Sequence, residues 1–103
     1  MKKEKMTKIK MVRSFAAGVF FGEISRAKHE KSGLVVTMKN ARRVWYWDGA
    51  ASLSQLAQSG TSNPSGCKFP EKVTDVQLMN VVEILSVTEK ALKTLDEVPV
   101  WKK

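Results

Sequence analysis

Apolar and polar positions alternate through most of this chain, and a period of two predicts a fold built mainly on strands. From Val12 to Ala27 the alternation sets Phe15, Val19 and Phe21 on one face, with Phe20 and Ile24 on the other. Ala16, Ala17, Gly18 and Gly22 interrupt it with side chains too small to pack, which points to a bulge or a close backbone approach. The polar run Lys28 to Gly33 reads as a turn. Leu34 to Met38 is a short strand, Lys39-Asn40-Ala41 a turn or bulge, and Arg42 to Trp47 a third strand rich in residues that favour sheets. Alternation turns Val44 and Tyr46 inward there, and Arg43, Trp45 and Trp47 outward.

The period changes after Asp48-Gly49. Ser52 with Gln55 three residues on is a capping box, and Leu53, Leu56 and Ala57 form a narrow apolar stripe that Gly60 terminates. This predicts a short helix that packing must hold. Ser59 to Pro70, with two glycines and two prolines, is a long loop. Val73–Leu78 and Val81–Val87 read as two more strands. Thr88 caps a last helix over Glu89–Leu95, with Ala91, Leu92 and Leu95 facing inward. The expected fold is α+β, a small mainly antiparallel sheet with two short helices in the order β-β-β-α-β-β-α.

A chain of 103 residues holds one core. The expected organisation is a flexible basic arm over residues 1–10, a single domain over 11–97 and an extended tail over 98–103. No apolar run is long enough to span a bilayer. A leader peptide is not expected either, because Gly18 and Gly22 break the apolar stretch and Glu23 follows it. The single cysteine, Cys67, excludes an internal disulfide. These features fit a cytoplasmic protein with no membrane partner.

The formal net charge of +8 suggests a polyanion partner until the charges are located. Lys2, Lys3, Lys5, Lys8 and Lys10 stand against Glu4 alone, and Lys102 and Lys103 end the chain. Met11 to Trp101 holds eleven basic and nine acidic side chains, which is close to balance. The arm lysines are therefore a weak nucleic-acid candidate, acting through a salt-sensitive attraction without sequence preference.

Nothing in the chain points to catalysis. His29, the only histidine, falls in the predicted polar turn, and Cys67 lies in the long loop beside Lys68. The carboxylates are scattered; Glu83 either faces solvent by alternation or pairs with Arg13, and alternation is the simpler expectation. No clustered metal ligands and no phosphate loop occur, so no metal and no cofactor are expected.

The constellation with chemical content is Arg42 to Trp47 and the helix start beyond it. Arginine offers planar donors to phosphate, and tryptophan stacks on flat rings. The helix start adds backbone N–H groups near Ser52 and Ser54, although Asp48 places negative charge at the same entrance. The candidate ligand-binding residues are Arg42, Arg43, Trp45, Trp47, Ser52 and Ser54. The competing reading assigns the aromatics to an ordinary sheet core.

Ala17-Gly18-Val19, Arg42-Arg43-Val44-Trp45-Tyr46-Trp47 and Gly49-Ala50-Ala51-Ser52-Leu53 resemble a group of small phage and prophage proteins of unknown function. The resemblance runs from about Val12 to Leu95 and takes in Pro64 and Cys67-Lys68-Phe69. It implies expression in the cytoplasm of an infected bacterium, and no mechanism or catalytic residue. The expectation is a non-enzymatic phage-type accessory protein, a homo-oligomer that binds an anionic small molecule (a nucleotide signal) or nucleic acid and counteracts host defence. The alternative is a virion structural or assembly protein, or an adaptor for a host protein.

Overall fold

The computed structural model describes residues 6–102. Four strands, β1 (Met6–Ser14), β2 (Gly18–Glu30), β3 (Gly33–Arg43) and β4 (Val73–Thr88), close into an antiparallel barrel in which β1 pairs with both β2 and β4. Two short helices, α1 (Leu53–Ser59) and α2 (Glu89–Asp96), complete an α+β fold with a mainly antiparallel sheet, as the patterning predicts.

The element boundaries differ from those expected, for identifiable reasons. The Val12–Ala27 segment is two strands, because the chain reverses at Phe15-Ala16-Ala17 and Gly18 takes a positive φ of 86°. Strand β1 begins at Met6, so Lys8 and Lys10 lie in the sheet instead of in a flexible arm. Lys10 donates to the Ser86 hydroxyl across the β1–β4 pair at 2.9 Å. Lys2, Lys3 and Lys5 lie outside the described residues. His29 sits on β2, which runs through the polar stretch as far as Glu30.

Asparagines mark the remaining differences. Asn40 and Asn80 both take left-handed backbone angles, φ 51° and 52°, a region asparagine tolerates better than most residues. Each sits at a register shift inside a continuous strand: of the turn or bulge expected at Lys39-Asn40-Ala41 the bulge is found, and a second bulge joins the two strands expected on either side of Asn80. At Asn80 the strand changes partner. Residues from Val73 to Leu78 pair with β3, while Val81 to Thr88 pair mainly with β1. The two expected strands are thus the two arms of one bent β4, and the bend helps to close the barrel.

Neighbouring residues on a strand face opposite ways, and the sheet buries apolar residues on both faces. Val12 and Phe20 join Val36, Met38 and Leu78 in the barrel interior. Met11 and Phe21, the next residues along, join Phe69, Leu56, Ala91 and Leu95 beneath the helices. The helices lock together through polar caps. Thr88 accepts from the Ala91 amide at 3.0 Å and donates to the Gln58 carbonyl at 2.7 Å. Gly60 ends α1 at φ 82°, as expected of a C-terminal glycine.

Glu83 pairs with its cross-strand neighbour Arg13, Nε to Oε1 at 3.0 Å, while remaining partly exposed, so the two expected alternatives hold together. The pair is well exposed and contributes little to stability. Gly22 is the close approach its position suggests: a Cβ there would stand 2.8 Å from the Ala41 Cα on β3. Gly22→Ala is therefore expected to cost about 2 kcal/mol through overpacking, read as a lowered urea midpoint with an unchanged slope.

Candidate functional site: an aromatic ledge

Beyond Arg43 the chain leaves the barrel and the strict alternation ends. Tyr46 is held by a single antiparallel bridge to Lys68, N–H to carbonyl at 3.2 Å and 2.8 Å in the two directions. Phe69 in turn bridges Val100, and the Trp101 amide donates to the Phe69 carbonyl at 2.9 Å. Three chain segments distant in sequence thus lie side by side.

On them stands a surface of exposed aromatics. Trp45 and Trp101, 57% and 42% exposed, stack with ring centroids 4.7 Å apart and planes at 15°. The Lys68 ammonium lies 5.7 Å from both indole centroids and 5.9 Å from the Tyr46 ring. The negative faces of the rings attract that cation. No carboxylate among the described residues pairs with it.

The candidate residues named from the sequence divide sharply. Arg42 is turned into the fold and away from the ledge surface. It is 6% exposed, and its guanidinium donates to four carbonyls: Pro70 from Nε at 2.9 Å, Val98 at 2.9 Å, and Phe69 and Pro99 each at 3.0 Å. Burial lowers its pKa from the ordinary value, and nearby Asp96 acts in the opposite direction. A guanidinium so placed remains a cation. Four of its five N–H donors fasten the C-terminal segment and the 69–70 segment to the end of β3.

Arg43 lies over the Phe20 ring, 4.3 Å from its centroid, and donates to the Ala17 carbonyl. It pins the β1–β2 turn and stands apart from the ledge. Trp47 is half-buried against the core beneath the helices, with its indole N–H donating to the Ala50 carbonyl at 3.2 Å. Tyr46, expected in the core, is exposed, because one bridge does not impose the parity of a strand.

At the start of α1 the capping groups bond to one another. The Ser52 hydroxyl accepts from the Gln55 amide at 3.1 Å, and the Gln55 side chain accepts from the Ala51 amide at 2.9 Å. Ser54 points to solvent on a helix of seven residues. Only Trp45 of the expected set belongs to the ledge. Lys68 and Trp101 were not singled out, and only the bridges among residues 46, 68, 69 and 100 bring them to Trp45.

Cys67 is buried, and its sulfur faces the Asp48 backbone amide at 3.4 Å and the Asn63 carbonyl at 3.6 Å. Asp48 is held by the Asn63 side-chain amide at 3.0 Å. This knot orders the loop between the ledge and α1. Among the described residues no three metal-ligating side chains converge.

The fold and ledge define a small antiparallel barrel module that presents an exposed aromatic and cationic surface. The family model described as a domain of unknown function, DUF6948, matches residues 7–95, and the chain belongs to that family. Arg42, Trp45, Tyr46 and Lys68 fall inside the matched span, and Trp101 outside it. No curated protein and no solved structure matches the chain. Among the described residues no helix is long and apolar enough to cross a membrane.

Replacing Arg42 by Met removes a buried cation and strands the carbonyls of Pro70, Val98 and Pro99, while Phe69 keeps the Trp101 amide. The change is expected to cost about 3–5 kcal/mol. At temperatures where the variant remains folded, its near-UV circular dichroism should lose the coupled signal of the stacked Trp45 and Trp101. Arg42→Lys, a point charge in place of a planar fork, should restore only part of both.

Proposed function

We propose that this protein is a non-enzymatic binding module that takes a flat, anionic ligand, a nucleotide or nucleic acid, on the ledge of Trp45, Tyr46, Lys68 and Trp101. The observation that carries this reading is the exposed Trp45–Trp101 stack with the Lys68 ammonium, unpaired among the described residues, at its edge. Stacking a base on an aromatic side chain is worth about 1–3 kcal/mol. A phosphate beside Lys68 adds a charge-assisted bond. Leaving two indoles, a tyrosine and Val100 together in solvent has no benefit for folding, and such patches mark sites of interaction.

In the cytoplasm of an infected bacterium, the setting implied by the resemblance to phage proteins, such a module would act as an accessory protein that sequesters a nucleotide signal of host defence. A homo-oligomeric state belongs to the same reading. The second reading, a virion or assembly component or an adaptor for a host protein, draws on a different observation. Phe15, Met79, Val82 and Ile84 are all well exposed, a hydrophobic content typical of contact surfaces.

Native mass spectrometry of the protein purified from cells, together with tryptophan-quenching titrations, separates the two. A co-purified nucleotide, or saturable quenching by nucleotides, supports the ledge reading. Trp45→Ala is then expected to weaken binding about tenfold or more, since tenfold corresponds to about 1.4 kcal/mol. Arg43→Gln should leave it unchanged, because Arg43 serves the β1–β2 turn. A bare protein that no nucleotide quenches, found instead in purified particles, would favour the second reading.

A further inference from the structure

Among the described residues β1 pairs with β2 from Glu23 toward Gly18, while the β2–β3 hairpin and the first arm of β4 continue past that point. Their three-stranded sheet has one face against the barrel interior, through Val36, Met38 and Leu78. The other face is open, since the helices pack mainly on β4 and β1 and on each other.

The strand register shows what that open face carries. Cross-strand partners share a face, and every second residue returns to it. Starting from the Phe21–Arg42 pair, the same face continues through Glu23, Lys39 and Asp75, then through Arg26, Thr37 and Gln77, and then through Lys28 and Val35. The last two rows line a hollow of about 180 Å³ together with Glu30. A second hollow adjoins it, sharing Glu30, Val35 and Gln77 and reaching Lys31 and Ser32 at the tip. Lys28 touches Glu30 at 3.7 Å, and Arg26 has no ion pair among the described residues. Where β2 has no partner on this side among the described residues, charge alone would suffice to discourage strand pairing. The hydroxyl and amide of Thr37 and Gln77, set beside a guanidinium and an ammonium in a concavity, add the donor set that grips phosphate.

The Arg42 side of this face holds the segments that build the ledge. We propose that the hairpin hollow is a second station for the ligand of the ledge, binding phosphates of a single-stranded nucleic acid whose unstacked base lies on Trp45 and Trp101. This inference rests on the ledge reading and narrows its ligand from a nucleotide to a strand. Duplexes keep their bases stacked and offer nothing to an indole face. The row between the stations, Lys39 flanked by Glu23 and Asp75, has one base to two acids, so the contact is at two points and not along a continuous track.

The test compares thymidine monophosphate with an oligodeoxythymidylate of about 12 nucleotides, a length within the site size of small barrel modules. Wild-type protein, Arg26→Gln/Lys28→Gln and Trp45→Ala are titrated over a range of salt. Both altered positions in the double variant are exposed, so it should fold normally. The expected result is that the wild type prefers the oligomer. The double variant should retain monophosphate binding and lose that preference, with its log–log salt slope reduced by about 1.4, or about 0.7 for each phosphate contact. An oligomer affinity and slope unchanged in the double variant would overturn the second station while leaving the ledge reading intact. Equal binding of polyglutamate would overturn the assignment to nucleic acid. Oligomer binding that depends on Arg26 and Lys28 but not on Trp45 would overturn the ledge reading and the two-point contact, and binding of neither probe would overturn both proposals.

Discussion

The buried guanidinium of Arg42 is the point on which the functional surface depends. Taking an isolated cation out of water costs several kcal/mol, and the cost is recovered only when its donors are satisfied. Here they reach the carbonyls of Phe69, Pro70, Val98 and Pro99. Those four acceptors belong to two segments that have little regular structure of their own. The same side chain lies 5.4 Å from the Phe69 ring centroid, at the heart of the core beneath the helices. Charge satisfaction and apolar packing therefore converge on one position at the end of β3.

From that position the rest follows by geometry. Once Val98 and Pro99 are fastened, Val100 can bridge Phe69, and Trp101 falls opposite Trp45. The loop between Trp47 and Lys68 is held independently through Asp48, Thr61, Asn63 and Cys67, so Lys68 is delivered to the edge of the indole stack. The barrel supplies rigidity, and its two-sided burial leaves one sheet end free of helices. A rigid frame with loops and ends that carry the exposed chemistry is a common division of labour in small domains.

Local physics was readable in the sequence, and long-range assembly was not. The caps at Ser52 and Thr88 and the stop at Gly60 depend on neighbours a few residues away, and they appear where expected. Asn40 stands out in the sequence as punctuation, and at Asn80 only the break between two apolar runs does. Whether a left-handed asparagine ends a strand or bulges it depends on the partner strand, which alternation alone does not identify. The Phe15-Ala16-Ala17 turn lacks the usual polar turn residues and so read as strand. The site suffered most. Arg42 looked like a surface cation because four of its partners lie 27 to 57 residues away, and Trp101 had no local feature tying it to Trp45. Alternation also failed from Trp45 onward, where a single bridge replaces a ladder, and this moved Tyr46 out of the core and Trp47 toward it.

Three tryptophans in one small domain supply an internal control for the central claim. In a nitrogen–proton correlation spectrum each indole N–H gives its own signal, and Trp47, bonded to the Ala50 carbonyl away from the ledge, reports on the fold alone. Titration with an oligodeoxythymidylate is expected to shift the Trp45 and Trp101 indole signals together and saturably while the Trp47 signal holds still. Shifts confined to Trp47, or no indole shift at ligand concentrations that saturate binding by another measure, would contradict the ledge as the binding surface.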